Sequence, residues 1–268
     1  MHLKRWITGL IALPILIWVV YQGGIVFALL VSAASVVALW EYNRIVLDPV
    51  LTAVSGIILG WGYLMGVGIV WAAHWQEPAL ILCLVALNLL AVALISMFYF
   101  KADPAVLRVV IRQLQGTVYI PVLLSFLILI RAGDAGMTWI FLVLAIVFAG
   151  DTSAYYVGSY WGRHKLCPAI SPGKTIEGSV GGLAANLAVG AIGKALFFPG
   201  LSWATSILFF LAVGAAGQMG DLFESEMKRF SGIKDSSSIL PGHGGILDRI
   251  DALLFASPVA YVFVRFIF

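Results

Sequence analysis

Most of the chain consists of apolar stretches close to the ~20 residues that a helix needs to cross a lipid bilayer. Nine such stretches can be delimited, over residues 6–21, 24–41, 50–73, 79–99, 116–131, 136–156, 179–198, 203–222 and 250–268. Only 11% of the residues are charged, against about a quarter in soluble domains. Because helices satisfy their own backbone hydrogen bonds in lipid, the pattern predicts an all-α, polytopic integral membrane bundle of about nine transmembrane helices.

The lysines and arginines indicate how this bundle is oriented. With the N-terminus in the cytoplasm, all 16 of them except Arg131, Lys194 and Arg265 fall on the cytoplasmic side, as the positive-inside rule requires. The two largest loops, 157–178 and 223–249, then face the cytoplasm together. We therefore expect a cytoplasmic N-terminus and a functional site on the cytoplasmic side.

The acidic residues divide the chain into two parts. Eight of the 13 lie between Asp151 and Asp251. We interpret residues 1–135, with five predicted helices, as a transmembrane scaffold. Residues 136–268 are the region predicted to carry the chemistry.

Four aspartates in this second part stand at predicted helix ends. Asp151 and Asp221 each end an apolar run, where a carboxylate usually marks function, although a helix end can also expose an acid to water at little cost. Asp248 and Asp251 open the last helix, where an acid can also serve as a cap. Asp251 is the better candidate for that capping role.

Loop 223–249 mixes acids with cations. Mg²⁺ usually keeps few protein ligands and lets substrate phosphates supply the rest, while lysine and arginine neutralise the remaining oxygens. The glycines of "PGHGG" let backbone N–H groups approach an anion closely. The mixture indicates a cation that bridges phosphate groups.

Loop 157–178 contains "SPGKT", which is not a P-loop. The glycine required five positions before Gly173 is replaced by Pro168, and no strand is predicted before it. Gly178 and Gly182 have the G-x-x-x-G spacing that favours close helix packing. The candidate phosphate contacts of this loop are Ser171, Lys174 and Thr175.

His243 is the only histidine of loop 223–249. Flanked by glycines, it could serve as an acid or base, donate to a phosphate, or hold the loop by a structural hydrogen bond. It lacks partners at zinc-ligand spacing, and the sequence contains no Ser-His-Asp or Cys-His nucleophile arrangement.

The segment Ser225–Asp251, "SEMKRFSGIKDSSSILPGHGGILDRID", resembles the signature of the CDP-diacylglycerol synthase family, also called the phosphatidate cytidylyltransferases. The family pattern is S-x-x-K-R-x-x-x-x-K-D, a short gap, P-G-H-G-G and D-R-x-D, and every fixed position is present. The segments "DTSAYYVG", "SPGKTIEG" and "GDLFES" are also similar to that family. In that family, the segment that corresponds to "SPGKTIEG" often carries another lysine where Gly173 stands here.

This resemblance implies a reaction and its partners. CMP would pass from CTP to phosphatidic acid, giving CDP-diacylglycerol and pyrophosphate, with Mg²⁺ and a second, monovalent cation such as K⁺. The expected partners are CTP, phosphatidic acid and membrane lipids, with no nucleic acid, and the sequence leaves a homodimer open. The expected location is a bacterial-type inner membrane, with the active site on the cytoplasmic side.

The resemblance implies that Asp221 and Asp248 bind metal, and the chemistry of the residues predicts the other roles. The catalytic set is Asp221, Asp248, Lys228 and Arg229. The metal-binding set is Asp221, Asp248, Asp251 and Asp151. The substrate-binding set is Ser171, Lys174, Thr175, Ser225, Lys234, Asp235, His243 and Arg249.

Two other functions are compatible with parts of the pattern. A CTP-dependent lipid kinase acting on a polyprenol-type alcohol would share the nucleotide and metal residues, but it needs a base for a neutral hydroxyl and releases CDP. An ion-coupled transporter would place acids near the bilayer midplane and show repeats between its halves. Here the acids lie at predicted helix ends and the halves are unlike.

Overall fold

The computed structural model describes residues 2–47, 54–239 and 244–268. Its helices are α1 His2–Gln22, α2 Gly24–Leu47, α3 Ser55–His74, α4 Pro78–Tyr99, α5 Val106–Thr117, α6 Leu123–Ala132, α7 Gly136–Trp161, α8 Ile176–Phe197, α9 Trp203–Phe230 and α10 Leu247–Val262. A π-helical turn, Val118–Val122, joins α5 to α6, and another, Phe263–Ile267, follows α10. The predicted all-α class is confirmed. A short hairpin of β1 (Lys165–Cys167) and β2 (Ser171–Thr175), which the sequence did not predict, is added to it.

Eight helical segments of the described chain are long and apolar enough to cross a membrane. They are Gly24–Leu47, Ser55–His74, Pro78–Tyr99, Val106–Ala132, Gly136–Trp161, Ile176–Phe197, Trp203–Phe230 and Leu247–Ile267. These correspond to the last eight predicted stretches, and in α1 the apolar stretch found among the described residues is the shorter Ala12–Gln22. The chain is an integral membrane protein, while the count of nine and the cytoplasmic N-terminus stay predictions.

The chain forms two compact units. The first joins Met1–Ala132 to the segment Asp235–Arg249, and the second joins Gly133–Lys234 to Ile250–Phe268. The predicted scaffold of residues 1–135 thus shares its unit with part of loop 223–249. The assignment of the scaffold to residues 1–135 and of the chemistry to residues 136–268 stays a prediction.

In the first unit, α3 packs against α2, α4, α5 and α6. Three polar side chains are buried among these apolar helices and bond to one another. Gln113 donates to the side chains of Asn88 and Thr117, and Asn88 also donates to Thr117. These hydrogen bonds link α4 to α5 within an apolar environment. Gly62 leaves the space that the Gln113 amide occupies.

In the second unit, α8 packs between α7 and α9. A Cβ atom at Gly178 would lie 2.7 Å from the carbonyl oxygen of Ala154, and one at Gly182 would lie 3.0 Å from that of Gly150. The backbones of α7 and α8 therefore approach as closely as glycine allows. The close packing predicted from the G-x-x-x-G spacing is confirmed, and it places the ends of α7, α8 and α9 side by side.

Candidate active site

A cavity of about 420 Å³ lies among α7, α8, α9 and the hairpin of the second unit. Its lining combines helix ends that carry carboxylates with a strand that carries hydroxyls and a cation. The residues predicted for the site that line it are Asp151, Ser171, Lys174, Thr175 and Asp221. Since these come from three separate parts of the sequence, their convergence makes the cavity the candidate active site.

The hairpin gives the "SPGKT" segment its shape. Lys165 pairs with Thr175 and Cys167 with Ser171 in an antiparallel ladder, so the segment is a strand that runs directly into α8. The Thr175 hydroxyl accepts the backbone N–H of Gly178 at 3.1 Å and caps α8, as a threonine before a helix commonly does. Thr175 is thereby used for structure, while Lys174, one residue earlier, lines the cavity.

Glu177 holds the residues that lead into the first strand of the hairpin. Its carboxylate accepts the backbone N–H groups of Arg163 and His164 and lies 2.6 Å from Nδ1 of His164. An acid in the first turn of a helix is also favoured by the helix dipole. These contacts hold the turn after α7 against the start of α8.

Lys174 and Asp221 form an ion pair in the cavity. The distance from Nζ to Oδ2 is 2.7 Å, and the two side chains are 27% and 36% exposed. Because both groups stay in contact with solvent, a phosphate can reach the lysine and a cation can reach the carboxylate. Such a pair provides both charge types that a nucleotide with a bound cation requires.

Three carboxylates of the second unit act on one another. Asp151 and Asp221 line the cavity, and Asp251, only 9% exposed, lies within the electrostatic reach of both and of Lys228. Repulsion among like charges at a partly buried site favours a bound cation. The described residues contain no group of three or more His, Cys, Asp or Glu side chains that could hold a metal. Binding of a cation by these aspartates stays a prediction.

Two cations predicted to contact phosphate have protein partners at the end of α9. Lys228 pairs with Glu224, one turn earlier, and their side chains are 13% and 1% exposed. Arg229 donates from Nε to the carbonyl oxygen of Ile170 and from Nη1 to that of Ile233, both at 3.2 Å. Arg229 thus connects the hairpin turn to the segment that follows α9. Contact of Lys228 or Arg229 with phosphate stays a prediction.

Asp248 lies in the first unit and binds the loop that precedes it. Its carboxylate accepts the N–H of Gly245 at 2.7 Å, the hydroxyl of Ser236 at 2.9 Å and the N–H of Ser236 at 3.2 Å. Four N-terminal N–H groups of any helix lack partners inside it, so an acid here also organises the entry into α10. The structure shows this organising role, and metal binding by Asp248 stays a prediction.

Comparison with known proteins extends over nearly the whole chain. The model of the cytidylyltransferase family matches residues 3–267. The chain belongs to the cytidylyltransferase family. It is therefore a nucleotidyltransferase, and the family resemblance seen in its sequence is confirmed.

Relatives of this cytidylyltransferase match it over almost their full length. Proteins named phosphatidate cytidylyltransferase are 32% identical in Bacillus subtilis, over 96% of each chain. They are 34% identical in Staphylococcus saprophyticus and 33% identical in Staphylococcus aureus, each over 95% of this chain and 96% of the relative.

The cavity of this cytidylyltransferase contains polar residues that sequence reasoning missed. The Ser179 hydroxyl donates to the Gln218 side chain, which donates back to the Ser179 carbonyl oxygen at 3.0 Å. Both residues line the cavity, as does Tyr155, which is 69% exposed. Gln218 stands three residues before Asp221, on the same face of α9. This spacing from Asp221 is the sequence feature from which Gln218 could have been predicted.

The other predicted residues within the described part of the chain lie outside the cavity lining. Ser225 donates to Asp221 at 3.5 Å, and the side chains of Lys234, Asp235 and Arg249 are exposed. His243 lies outside the described residues, so its three alternative roles stay open. The contacts with substrate predicted for all five of these residues, Ser225, Lys234, Asp235, His243 and Arg249, stay predictions.

Glu41 of α2 is the acid that sequence reasoning passed over. It is fully buried and accepts hydrogen bonds from the loop around Asp248. The available signal was a lone acid inside the apolar run "SVVALWEY", a placement that is costly without partners.

Proposed function

We propose that this chain transfers CMP from CTP to phosphatidic acid, yielding CDP-diacylglycerol and pyrophosphate. The observation that carries the proposal is the Lys174–Asp221 pair, held in a cavity at the ends of apolar helices in a chain of the cytidylyltransferase family. The relatives named phosphatidate cytidylyltransferase support the identity of both substrates. A lipid phosphate at the headgroup level and a soluble nucleotide can meet at such a place.

The proposed step is an in-line displacement at phosphorus. An oxygen of the lipid phosphate forms a bond to the α-phosphorus of CTP, and the bond from that phosphorus to the oxygen shared with the β-phosphate breaks. Pyrophosphate leaves with the electron pair. Because the attacking oxygen is already anionic near neutral pH, no strong base is required, and the chief obstacle is repulsion between two anions.

The residues of the cavity suit the removal of that repulsion. Lys174 is expected to donate to a phosphate of CTP once it separates from Asp221. Ser171, half-buried in the lining, can donate its hydroxyl to a phosphate oxygen. These contacts position the nucleotide before the reaction and require little rearrangement during it.

Magnesium is part of the proposal. When bound, Mg²⁺ would neutralise the phosphate oxygens and stabilise the departing pyrophosphate. Asp151 and Asp221 fit such an ion because both line the cavity and carboxylate oxygens are ligands that Mg²⁺ prefers. Asp248 and a second, monovalent cation such as K⁺ are added from the family resemblance, and Asp251 is added because it lies within the electrostatic reach of Asp151 and Asp221.

The proposed location is the inner membrane of a bacterium, with the cavity open to the cytoplasm. The distribution of lysine and arginine supports that side, and the bacterial relatives support that membrane. CTP would then arrive from the cytoplasm, and phosphatidic acid would arrive laterally with its acyl chains in the leaflet.

The test is formation of both products by purified protein in lipid nanodiscs. With CTP, phosphatidic acid and Mg²⁺, we expect CDP-diacylglycerol and pyrophosphate in equal amounts, and neither product after chelation of the metal. Release of CDP in place of pyrophosphate would instead identify a lipid kinase.

Variants test the metal residues in the same assay. We expect Asp221→Asn and Asp248→Asn to lose at least about a hundredfold in kcat, the scale seen when a key electrostatic group is removed. The matched control is Asp134→Asn, because Asp134 is exposed and outside the cavity lining. Near-normal turnover by either test variant would remove that aspartate from the proposed metal site.

A further inference from the structure

Glu41 is a buried carboxylate whose hydrogen bonds reach about two hundred residues along the chain. It lies in α2 with no exposed surface. Its Oε1 accepts the hydroxyl of Ser237 at 2.5 Å and the backbone N–H of Ile246 at 3.0 Å, and its Oε2 accepts the N–H of Leu247 at 2.6 Å. All four residues belong to the first unit.

These contacts satisfy the hydrogen-bonding capacity of a carboxylate that α2 buries. A buried carboxylate without partners is very costly, whereas hydrogen bonds to a charged acceptor are roughly twice as strong as neutral ones. Leu247 begins α10 and Ile246 precedes it, so both N–H groups belong to the end of a helix that needs outside acceptors. Glu41 therefore caps α10 from another helix, at the end where the helix dipole favours an anion.

Asp248 also binds this short stretch, and unlike Glu41 it follows the stretch in the sequence. Glu41 takes the N–H groups of Ile246 and Leu247, and Asp248 takes that of Gly245. Three consecutive backbone donors are thus divided between two carboxylates. The loop serines are divided in the same way, Ser236 to Asp248 and Ser237 to Glu41.

Gly245 marks how closely this stretch approaches Glu41. A Cβ atom there would overlap both the Ser236 hydroxyl oxygen and Oε1 of Glu41. A larger residue at this position requires the Ser236 and Glu41 side chains or the loop itself to shift. The glycine therefore keeps the loop backbone within hydrogen-bond reach of Glu41.

We infer that Glu41 is a positioning residue for Asp248, because it holds the backbone of Gly245–Leu247 so that the Asp248 carboxylate is correctly placed. It contacts neither substrate nor metal in this role and acts only through the loop. The effect on catalysis rests on the proposed function, since it requires that Asp248 serve the reaction. The effect of Glu41 on the loop backbone does not depend on the proposed function.

The first test replaces the carboxylate by an amide of the same size. Glu41→Gln keeps one acceptor oxygen and turns an N–H₂ group toward a backbone donor, so at least one of the three hydrogen bonds is lost. Groups that orient a metal ligand typically contribute 10- to 100-fold, so we expect kcat to fall about tenfold or more and half-activation to require more Mg²⁺. We expect the KM for CTP to change less, because Lys174 is untouched.

Two further variants separate positioning from general loss of structure. Ser35→Ala is the matched control, because Ser35 is also fully buried in α2; it should retain the wild-type Mg²⁺ dependence. Ser237→Ala removes only one donor to Glu41 and should shift the Mg²⁺ dependence in the same direction by a smaller factor. If Glu41→Gln fails to fold, Ser237→Ala decides the question.

The second readout is amide hydrogen exchange, which needs no activity. Ile246 and Leu247 should be protected in the wild type and should exchange at least tenfold faster in Glu41→Gln, with α3 unchanged. Unchanged exchange, or a Mg²⁺ dependence equal to that of Ser35→Ala, would overturn the inference. If the wild type itself makes no CDP-diacylglycerol, the proposed function fails, and the exchange measurement still decides whether Glu41 holds the loop.

Discussion

At the scale of single residues, the Lys174–Asp221 pair is better suited to chemistry than to stability. Both side chains are about a third exposed, and exposed ion pairs usually contribute less than about 1 kcal/mol to folding. A hydrogen bond from a lysine to a phosphate contributes roughly 1.5–3 kcal/mol. Loss of the lysine should therefore affect substrate binding much more than the free energy of unfolding.

Lys174→Met tests this reasoning because it keeps the length of the side chain and removes its charge. We expect kcat/KM for CTP to fall about 10- to 100-fold, the equivalent of that hydrogen bond. The melting temperature should change by only a few degrees. Steady-state kinetics with varied CTP and a thermal melt in detergent provide the two measurements.

The matched control for Lys174 is Lys165→Met. Lys165 is an exposed lysine of the same hairpin and does not line the cavity. It should keep wild-type kcat/KM. Equal losses in the two variants would mean that the hairpin attracts CTP by its overall charge, with no specific contact from Lys174.

At the scale of helices and strands, the close approach of α7 and α8 determines the shape of the cavity. Gly158 and Gly178 line the cavity and also belong to the surfaces on which these helices meet. Any side chain larger than hydrogen at Gly178 meets the backbone of Ala154, which cannot move aside as a side chain would. The helices must then separate, and the cavity must change with them.

Gly178→Ala should therefore destabilise the protein despite the better helix propensity of alanine. Replacing glycine by alanine inside a helix normally gains about 1 kcal/mol, while overpacking costs roughly 1–3 kcal/mol. We expect a lower melting temperature together with reduced turnover. The control is Gly60→Ala in α3, where nothing lies within 4 Å of the added carbon, and it should be neutral or stabilising. A stabilised Gly178→Ala variant would contradict the close packing.

The helices could be predicted from the sequence, whereas the hairpin could not. Each apolar stretch carries its own signal, because a span of about 20 apolar residues has few alternatives in lipid. The hairpin of Lys165–Cys167 and Ser171–Thr175 has strands of three and five residues, too short for an alternating pattern to stand out. Its formation depends on Glu177 and Thr175 at the start of α8, which are contacts of the folded chain.

At the scale of the whole molecule, residues with a signal in the local sequence could be predicted as parts of the site, whereas residues whose role depends on distant contacts were missed. Asp151, Lys174 and Asp221 could be proposed because their residue types are unusual where they stand. The role of Glu41 could not, because its partners follow it by about two hundred residues and nothing in a single sequence pairs them. The N-terminal helices, predicted only as a scaffold, thus contribute a buried acid to the loop that contains Asp248.

The orientation of the molecule decides whether CTP in the cytoplasm can reach the cavity, and it can be tested directly. After replacement of Cys83 and Cys167, the only cysteines, single cysteines are introduced at two exposed positions, Ala102→Cys before α5 and Asp134→Cys before α7. The lysine and arginine distribution predicts that residue 102 is cytoplasmic and residue 134 external. A membrane-impermeant maleimide should therefore label Asp134→Cys in spheroplasts and label Ala102→Cys only after lysis. The reverse pattern would turn the cavity away from CTP and would contradict both the orientation and the proposed route of the nucleotide.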